Sequence, residues 1–357
     1  MDLGLVGRAN AGKTALFALV TGAEAEIAPY PFTTREPARA MAAVPDPRLD
    51  AIADVQDIPR RVPAQVQLVD IAGLAAGAGA GEGLGGAALG QLRQADALVH
   101  VVRAFANAEV PHPEDRIDPV ADAEAVDLEL AVADRDQVER RLERVRRGAR
   151  AGEAGASAEL ALLEALAAAL DAGRPARLAG DEARALSARM ELLTAKPVLY
   201  LANTDEGLVP PEGLAAHAEA QGGQALALPV GMELELAEMD PAEAAELAAE
   251  LDLGEERGAD AVVAAGYRLL DLVTFFTGSG PPEARAWPVG RGTTASEAAG
   301  RIHSDMERGF IRAEVIPWDA LVAAGSFARA REGALLRMEG RDYVVQEGDV
   351  LQIRFNV

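Results

Sequence analysis

Short apolar runs along this chain alternate with longer stretches in which apolar residues recur every third or fourth position. Leu3-Gly4-Leu5-Val6, Val66-Gln67-Leu68-Val69, Ala97 to Val102, Pro197 to Ala202 and Ala225 to Val230 have the length and apolar density of buried parallel strands. Ala38 to Val44 reads as an edge strand, and Ala15 to Val20 as a helix following the first strand. From about Asp122 to Thr194 the period turns helical. Val126, Leu130, Val138, Leu142 and Val145 recur amid Glu and Arg, Leu160, Leu163, Leu166 and Leu170 repeat the behaviour, and Gly173-Arg174-Pro175 breaks it. Solvated faces account for most of these charges. Strands alternating with helices predict a parallel sheet covered on both faces, with the ligand at the strands' C-terminal ends. Asp70, Asn203 and Gly231 fall at such ends. Beyond about Asp271, short strands at Ala286–Val289, Ala313–Ile316, Tyr343–Val345 and Val350–Phe355 accompany one helix, Thr294 to Arg308, and a turn at Glu347-Gly348-Asp349. The expected organisation is an α/β domain from residues 1–110 and 195–270, an inserted helical module over 111–194, and a small α+β domain over 271–357.

Chemistry enters with Gly7-Arg8-Ala9-Asn10-Ala11-Gly12-Lys13-Thr14, which fits G-x-x-x-x-G-K-[ST] between a strand and a helix. Glycines let successive backbone N–H groups converge on phosphate oxygens at the helix N-terminus, where the dipole also favours negative charge. In such a loop Lys13 reaches the β- and γ-phosphates and Thr14 offers its hydroxyl to Mg²⁺. A chance glycine-rich turn is the alternative, and the flanks and downstream partners weigh against it.

Composition narrows the classes. The 357 residues carry 57 acidic against 34 basic side chains, a net charge of −23. A chain this acidic gains nothing from non-specific attraction to nucleic acid, so neither DNA nor a membrane is an expected partner. With no cysteine there are no disulfides and no thiolate metal sites, which fits a reducing cytoplasm. No apolar run is long enough to span a bilayer and no signal peptide is evident, so the expected location is cytoplasmic.

Two further motifs follow the phosphate loop. Asp70-Ile71-Ala72-Gly73 matches D-x-x-G, in which Asp70 holds Mg²⁺ through water and the Gly73 N–H bonds the γ-phosphate. Thr34 is the candidate second protein ligand for Mg²⁺, with Thr33 the competing choice. Where Ras-like enzymes place a glutamine to orient water, this chain has Leu74, which cannot hydrogen-bond it. Asn203-Thr204-Asp205-Glu206 stands in the place of N-K-x-D. Glu206 is one methylene longer than the guanine-reading aspartate, and Thr204 replaces the lysine. The change argues against guanine without itself building an adenine site.

Together these residues resemble the Obg-like ATPase family, known in bacteria as YchF. The likeness is carried by the P-loop, Pro31 to Pro37, Asp46-Pro47-Arg48-Leu49, Asp70 to Leu74, Gly81-Glu82-Gly83-Leu84-Gly85, N-x-x-E at Asn203, Ala286-Trp287, Gly300 to Asp305, Gly309 to Glu314 and Phe355-Asn356-Val357. It implies a P-loop, GTPase-like domain that hydrolyses ATP in preference to GTP, a helical coiled-coil insertion, a C-terminal TGS domain of β-grasp fold, and a ribosome partner in translation or stress regulation. Carried over by position, Asn10, Ala11, Gly12, Lys13, Thr14 and Ala15 bind phosphates, Thr14 and Thr34 bind Mg²⁺, and Phe105, Asn203 and Thr204 lie near the base. His112 matches a family histidine that could replace the missing glutamine; its rival reading is an exposed loop histidine. Asn10 stands where some relatives use an asparagine to help hold K⁺, the rival being a brace within the loop. Ala9, Ala11 and Ala15 depart from the family pattern, as do Gly86-Ala87-Ala88 and Pro229 to Glu233. The phosphate machinery survives these departures better than base selectivity does.

Overall fold

The computed structural model describes residues 2–22, 38–71, 85–107, 109–112, 114, 116–254, 257–278 and 282–356. Thr33, Thr34, Gly73, Leu74 and the Gly81–Leu84 run lie outside the described residues. The chain forms two compact units, residues 1–42 with 67–269 and residues 43–66 with 270–357.

In the first unit the described strands are β1 (Asp2–Val6), β2 (Ala38–Ala43), β4 (Gln65–Asp70), β5 (Ala97–Ala104), β6 (Val198–Thr204) and β7 (Gln224–Leu228), in the order β2-β4-β1-β5-β6-β7. β1, at the middle, runs parallel to both β4 and β5, and β6 runs parallel to β5 and β7. β5 is buried from Ala97 to Arg103, which is why its sequence shows a continuous apolar run instead of alternation. On one face Leu98, Val102, Val198 and Tyr200 pack with Leu92, Val126, Leu130 and Leu214 from helices. Elsewhere helix Lys13–Thr21 packs beside Val230–Glu238 and Gly258–Leu269. Gly231 lies inside helix Val230–Glu238 and not at the end of β7, which stops at Leu228.

A helical arm grows from this sheet. Helix Pro119–Arg150 starts on Asp118, whose carboxylate accepts from the Ala121 N–H at 3.1 Å, with proline in the first turn. Helix Ala156–Asp171 returns antiparallel, as the ion pairs Arg135–Asp171 (2.8 Å) and Arg141–Glu159 (2.6 Å) require. The arm has its own core of Val138, Leu142, Leu163, Leu166 and Leu170, the residues whose spacing predicts the helices. Three acids on the long helix, Asp122, Asp127 and Asp134, are exceptions to the solvated-face reading. Asp127 accepts from the Tyr200 hydroxyl and from His217 Nε2, each at 2.8 Å. Asp134 is fully buried and accepts from the backbone N–H groups of Leu193 and Thr194, the Thr194 hydroxyl and Arg93. The part-buried Asp127 and the buried Asp134 are each held by several donors, and so both pin the root of the arm.

The second unit comprises β8 (Leu272–Thr277), β9 (Glu283–Gly290), β10 (Phe310–Pro317), β11 (Arg337–Glu339) and β12 (Asp349–Phe355), joined by β3 (Arg60–Val62) in the order β11-β10-β12-β8-β9-β3. β12 runs parallel to β8 at the centre, β8–β9 and β10–β12 are antiparallel, and helix Ala295–Ile302 shares a core with Val273, Phe275, Val289 and Val315. This is β-grasp topology extended by one strand from far upstream. Residues 43–66, read from sequence as part of the first domain, group here because β3 pairs parallel with β9 and helix Pro47–Val55 buries Leu49, Ile52 and Ala53. A three-residue strand carries too little periodicity to reveal its partner. Two local expectations are also corrected. The Thr294–Arg308 helix is interrupted at His303, whose backbone is extended and whose Nδ1 accepts from the Asp305 N–H to cap the next helix. Tyr343–Val345 forms no strand; only Val344 bridges, to Thr294.

Candidate nucleotide site

The phosphate loop leaves β1 at Gly7 and enters helix Lys13–Thr21 at Gly12. Both glycines are required by their surroundings. Gly7 has φ +149° and a Cβ there would sit 2.2 Å from the Val101 carbonyl oxygen; Gly12 has φ +99° and a Cβ would sit 2.2 Å from Asn203 Nδ2. No side chain caps the helix start, so its first N–H groups remain for an anion.

Lys13 is buried, and its Nζ donates to the carbonyl oxygens of Gly7 at 2.8 Å and Arg8 at 2.6 Å. Burial lowers its pKa to about 8, while the negative charge of Asp70 opposes that shift. The ammonium is thus folded back on the carbonyls of its own loop and poorly solvated, a state that phosphate oxygens would relieve. Thr14, on the first helical turn, donates from its hydroxyl to Asp70 Oδ2 at 3.1 Å, joining the ends of β1 and β4. Asn203 arrives from β6 and is 5 % exposed. Its Nδ2 donates to the Ala11 carbonyl at 3.1 Å and its Oδ1 accepts from the Val230 N–H at 3.3 Å. One side chain therefore ties the phosphate loop to the start of helix Val230–Glu238.

The expected base end is built by strand register. Arg103 is opposite Asn203 and Ala104 opposite Thr204, so half-buried Phe105 emerges beside the end of β6. Asp205 Oδ2 accepts from the Ala106 N–H at 2.8 Å and clasps the two strand ends together. Thr204 donates to the Gly207 carbonyl, and Glu206 is exposed beyond them. Sequence reasoning missed Asp205, whose signal would have been an acid one residue past two paired strand ends.

Asn10 and His112 both make contacts within the protein. Asn10 Nδ2 donates to the Pro111 carbonyl at 2.9 Å, bracing the phosphate loop against the segment that carries His112. His112 is 8 % exposed, so it is not an exposed loop histidine. Its Nε2 meets Asp122 Oδ2 at 2.8 Å and its Nδ1 accepts from the Glu114 N–H at 3.1 Å, which places the proton on Nε2. Both ring nitrogens are therefore engaged within the protein. Arg8 adds an ion pair to Glu114 at 2.8 Å and approaches Asp122 at 3.6 Å.

The structure brings Ala11, Gly12, Lys13, Thr14, Asp70 and Asn203 into one site, with Ala15 half-buried on the first helical turn. A glycine loop opening a helix beside the central strand, a lysine folded over it and a pair of Thr14 on the first helical turn with Asp70 at the end of β4 define a P-loop nucleotide-binding domain of the GTPase-like class. Comparison with known proteins agrees. Residues 2–142 match a family described as 50S ribosome-binding GTPase, and residues 272–356 match the YchF GTPase C-terminal family, described as a protein of unknown function. The chain is 42 % identical over 361 residues to the ribosome-binding ATPase YchF of Haemophilus ducreyi, covering 99 % of each chain. It is 40 % identical to the Bacillus subtilis protein of the same name, covering 100 % of each, and 36 % identical to Obg-like ATPase 1 of rice, covering 100 % of this chain and 92 % of that one. The solved YchF GTPase of Schizosaccharomyces pombe superposes with a TM-score of 0.83 at 31 % identity, over 99 % of this chain and 97 % of that one. The chain belongs to the Obg-like ATPase (YchF) family.

Proposed function

We propose that this protein is a Mg²⁺-dependent ATP-hydrolysing switch that associates with the ribosome in the cytoplasm. The observation that carries the reading is the convergence of Lys13, Thr14, Asp70 and Asn203 on one phosphate loop. The names of the relatives, ribosome-binding ATPase among them, supply the partner and the nucleotide. Among the described residues no helix is long and apolar enough to cross a membrane.

The Thr14 hydroxyl and the Asp70 carboxylate, 3.1 Å apart, are hard oxygen donors of the kind Mg²⁺ takes, and they would hold the ion, Thr14 directly and Asp70 through water. Such an ion supplies charge neutralisation on the β- and γ-phosphates. Thr34 is the further ligand proposed, and Gly73 the proposed N–H donor to the γ-phosphate. In this reading Lys13 turns from the Gly7 and Arg8 carbonyls to the β/γ oxygens. Gly12 and the residues after it present their N–H groups to the phosphates, and the loop excludes water around them. His112 orients the attacking water once its segment turns an Nδ1 or Nε2 away from Glu114 or Asp122. The Asn10 side-chain oxygen is the group available to a monovalent cation such as K⁺ beside the phosphates. Phe105, Asn203 and Thr204 receive the base, and Glu206 disfavours guanine. The β-grasp unit is read as a TGS domain.

Calorimetric titration with ATP and GTP, each with and without Mg²⁺, tests the first half. ATP should bind at least tenfold more tightly than GTP, and only with Mg²⁺ should the triphosphate exceed the diphosphate. Equal affinity for the two bases would overturn the ATP assignment and leave a GTPase of the same fold. Co-sedimentation with ribosomes, with and without ATP, tests the second half; absence of the protein from the ribosomal pellet in both conditions would reject the partner.

A further inference from the structure

Arg103 is a buried cation whose described partners are all backbone carbonyls. It closes β5, is 3 % exposed, and has no carboxylate within ion-pairing distance among the described residues. A buried guanidinium without an acid is costly unless its donors are all used. Here they are turned on backbone. Nε donates to the Phe105 carbonyl at 3.3 Å, one terminal nitrogen to the Asn107 carbonyl at 3.1 Å, and the other approaches the Pro111 carbonyl at 3.5 Å. The carbonyls of Phe105, Asn107 and Pro111 thus converge on one planar cation. The guanidinium carbon also lies 4.5 Å from the centroid of the Phe105 ring, within cation–π range. Pro111, one of these acceptors, is also the residue that Asn10 of the phosphate loop holds.

We propose that Arg103 is the positioning residue of the base subsite, backing the Phe105 ring so that its other face serves as the stacking platform for the purine. The inference rests on the assignment of Phe105 to the base. The register that sets Arg103 opposite Asn203 places the ring beside the strand end where the base is expected, and the Asp205–Ala106 clasp fixes the same segment from the other side. A ring supported on one face by a cation and anchored through its own carbonyl loses little freedom when a base stacks on it, so the contact adds to affinity. Stacking accepts any purine. Arg103 therefore raises the affinity for ATP and GTP alike and leaves the choice between them to other groups.

The test separates base from phosphate. Arg103→Met should weaken ATP and GTP binding by five- to tenfold each, leave inorganic tripolyphosphate affinity within twofold, and raise KM without lowering kcat. Arg103→Lys, which cannot lie flat under the ring or reach three carbonyls, should fall between Met and wild type. In a Phe105→Ala background Arg103→Met should add nothing further. Equal losses for ATP and tripolyphosphate, or additive losses in the double variant, would overturn the proposal in favour of a purely structural arginine. If Phe105→Ala itself leaves ATP affinity unchanged, the base assignment of Phe105 fails. Should Arg103→Met unfold, Arg103→Lys, titrated with ATP and with tripolyphosphate, reads the same quantity: a loss confined to ATP supports the proposal, and equal losses overturn it.

Discussion

The two ends of the nucleotide site are built on different principles. At the phosphate end the groups are consecutive in the chain, residues 7 to 14, and the work is done by backbone N–H groups, one lysine and one hydroxyl. At the base end the groups come from the ends of β5 and β6, about a hundred positions apart, and they are held by side chains acting on backbone: Arg103 on three carbonyls, Asp205 on the Ala106 N–H, Asn203 on Ala11 and Val230. Phosphates are identical in every nucleotide, so a local loop suffices. Bases differ, so their recognition is placed on elements that can vary independently.

Lys13→Ala should produce the largest effect. It removes the cation facing the β/γ-phosphates and should lower ATP affinity by at least a hundredfold in calorimetry, with the thermal midpoint little changed because removing a desolvated ammonium offsets the loss of its two carbonyl bonds. A loss of less than fivefold would mean the phosphate end does not dominate. Asn203→Ala comes next. It strips partners from the Ala11 carbonyl and the Val230 N–H at a buried position, which should destabilise the protein by about 1–3 kcal/mol and weaken ATP and tripolyphosphate together by about tenfold. An effect on ATP alone would move Asn203 wholly to the base end.

pH sharpens the same contrast. Lys13 titrates near 8 in the free protein because of its burial. Phosphate oxygens raise the pKa of the bound lysine, so binding takes up a proton above that value. The sign follows: affinity for ATP and for tripolyphosphate is full below about pH 8 and falls as pH rises past it. In the protein alone the lowered pKa acts the other way. The cost of burying the ammonium is complete below about 8 and is relieved as pH approaches the ordinary lysine value of 10.5. Affinity flat to pH 9.5 would indicate that Lys13 is not the phosphate cation. The smallest expected effect is at the base end. Glu206→Asp combined with Thr204→Lys should shift the GTP-to-ATP affinity ratio toward GTP by about threefold to tenfold, because Glu206 is exposed and only partly shapes the subsite. An unchanged ratio in competition binding would remove Glu206 as the discriminating residue.

The sequence by itself determined those parts whose physics is local. Glycine spacing, a following lysine and a flanking apolar strand specify the phosphate loop, since the loop's geometry depends on backbone freedom over eight residues. The 3.6-residue period likewise marked the arm, because Val138, Leu142, Leu163 and Leu166 had to share one buried stripe. Only the tertiary structure decided what depends on distant neighbours. Residues 43–66 belong with the C-terminal sheet because β3 pairs with β9, a choice made by hydrogen bonds that no local pattern encodes. His112 proved buried and doubly bonded, and Asp134 fully buried, because a charge is solvated or internal according to the donors that folding brings to it. Arg103 looked in sequence like the polar end of a strand. Strand register and the carbonyls of Phe105, Asn107 and Pro111 set it buried against the Phe105 ring, for the reason that three carbonyls converge on one guanidinium only after the chain has folded.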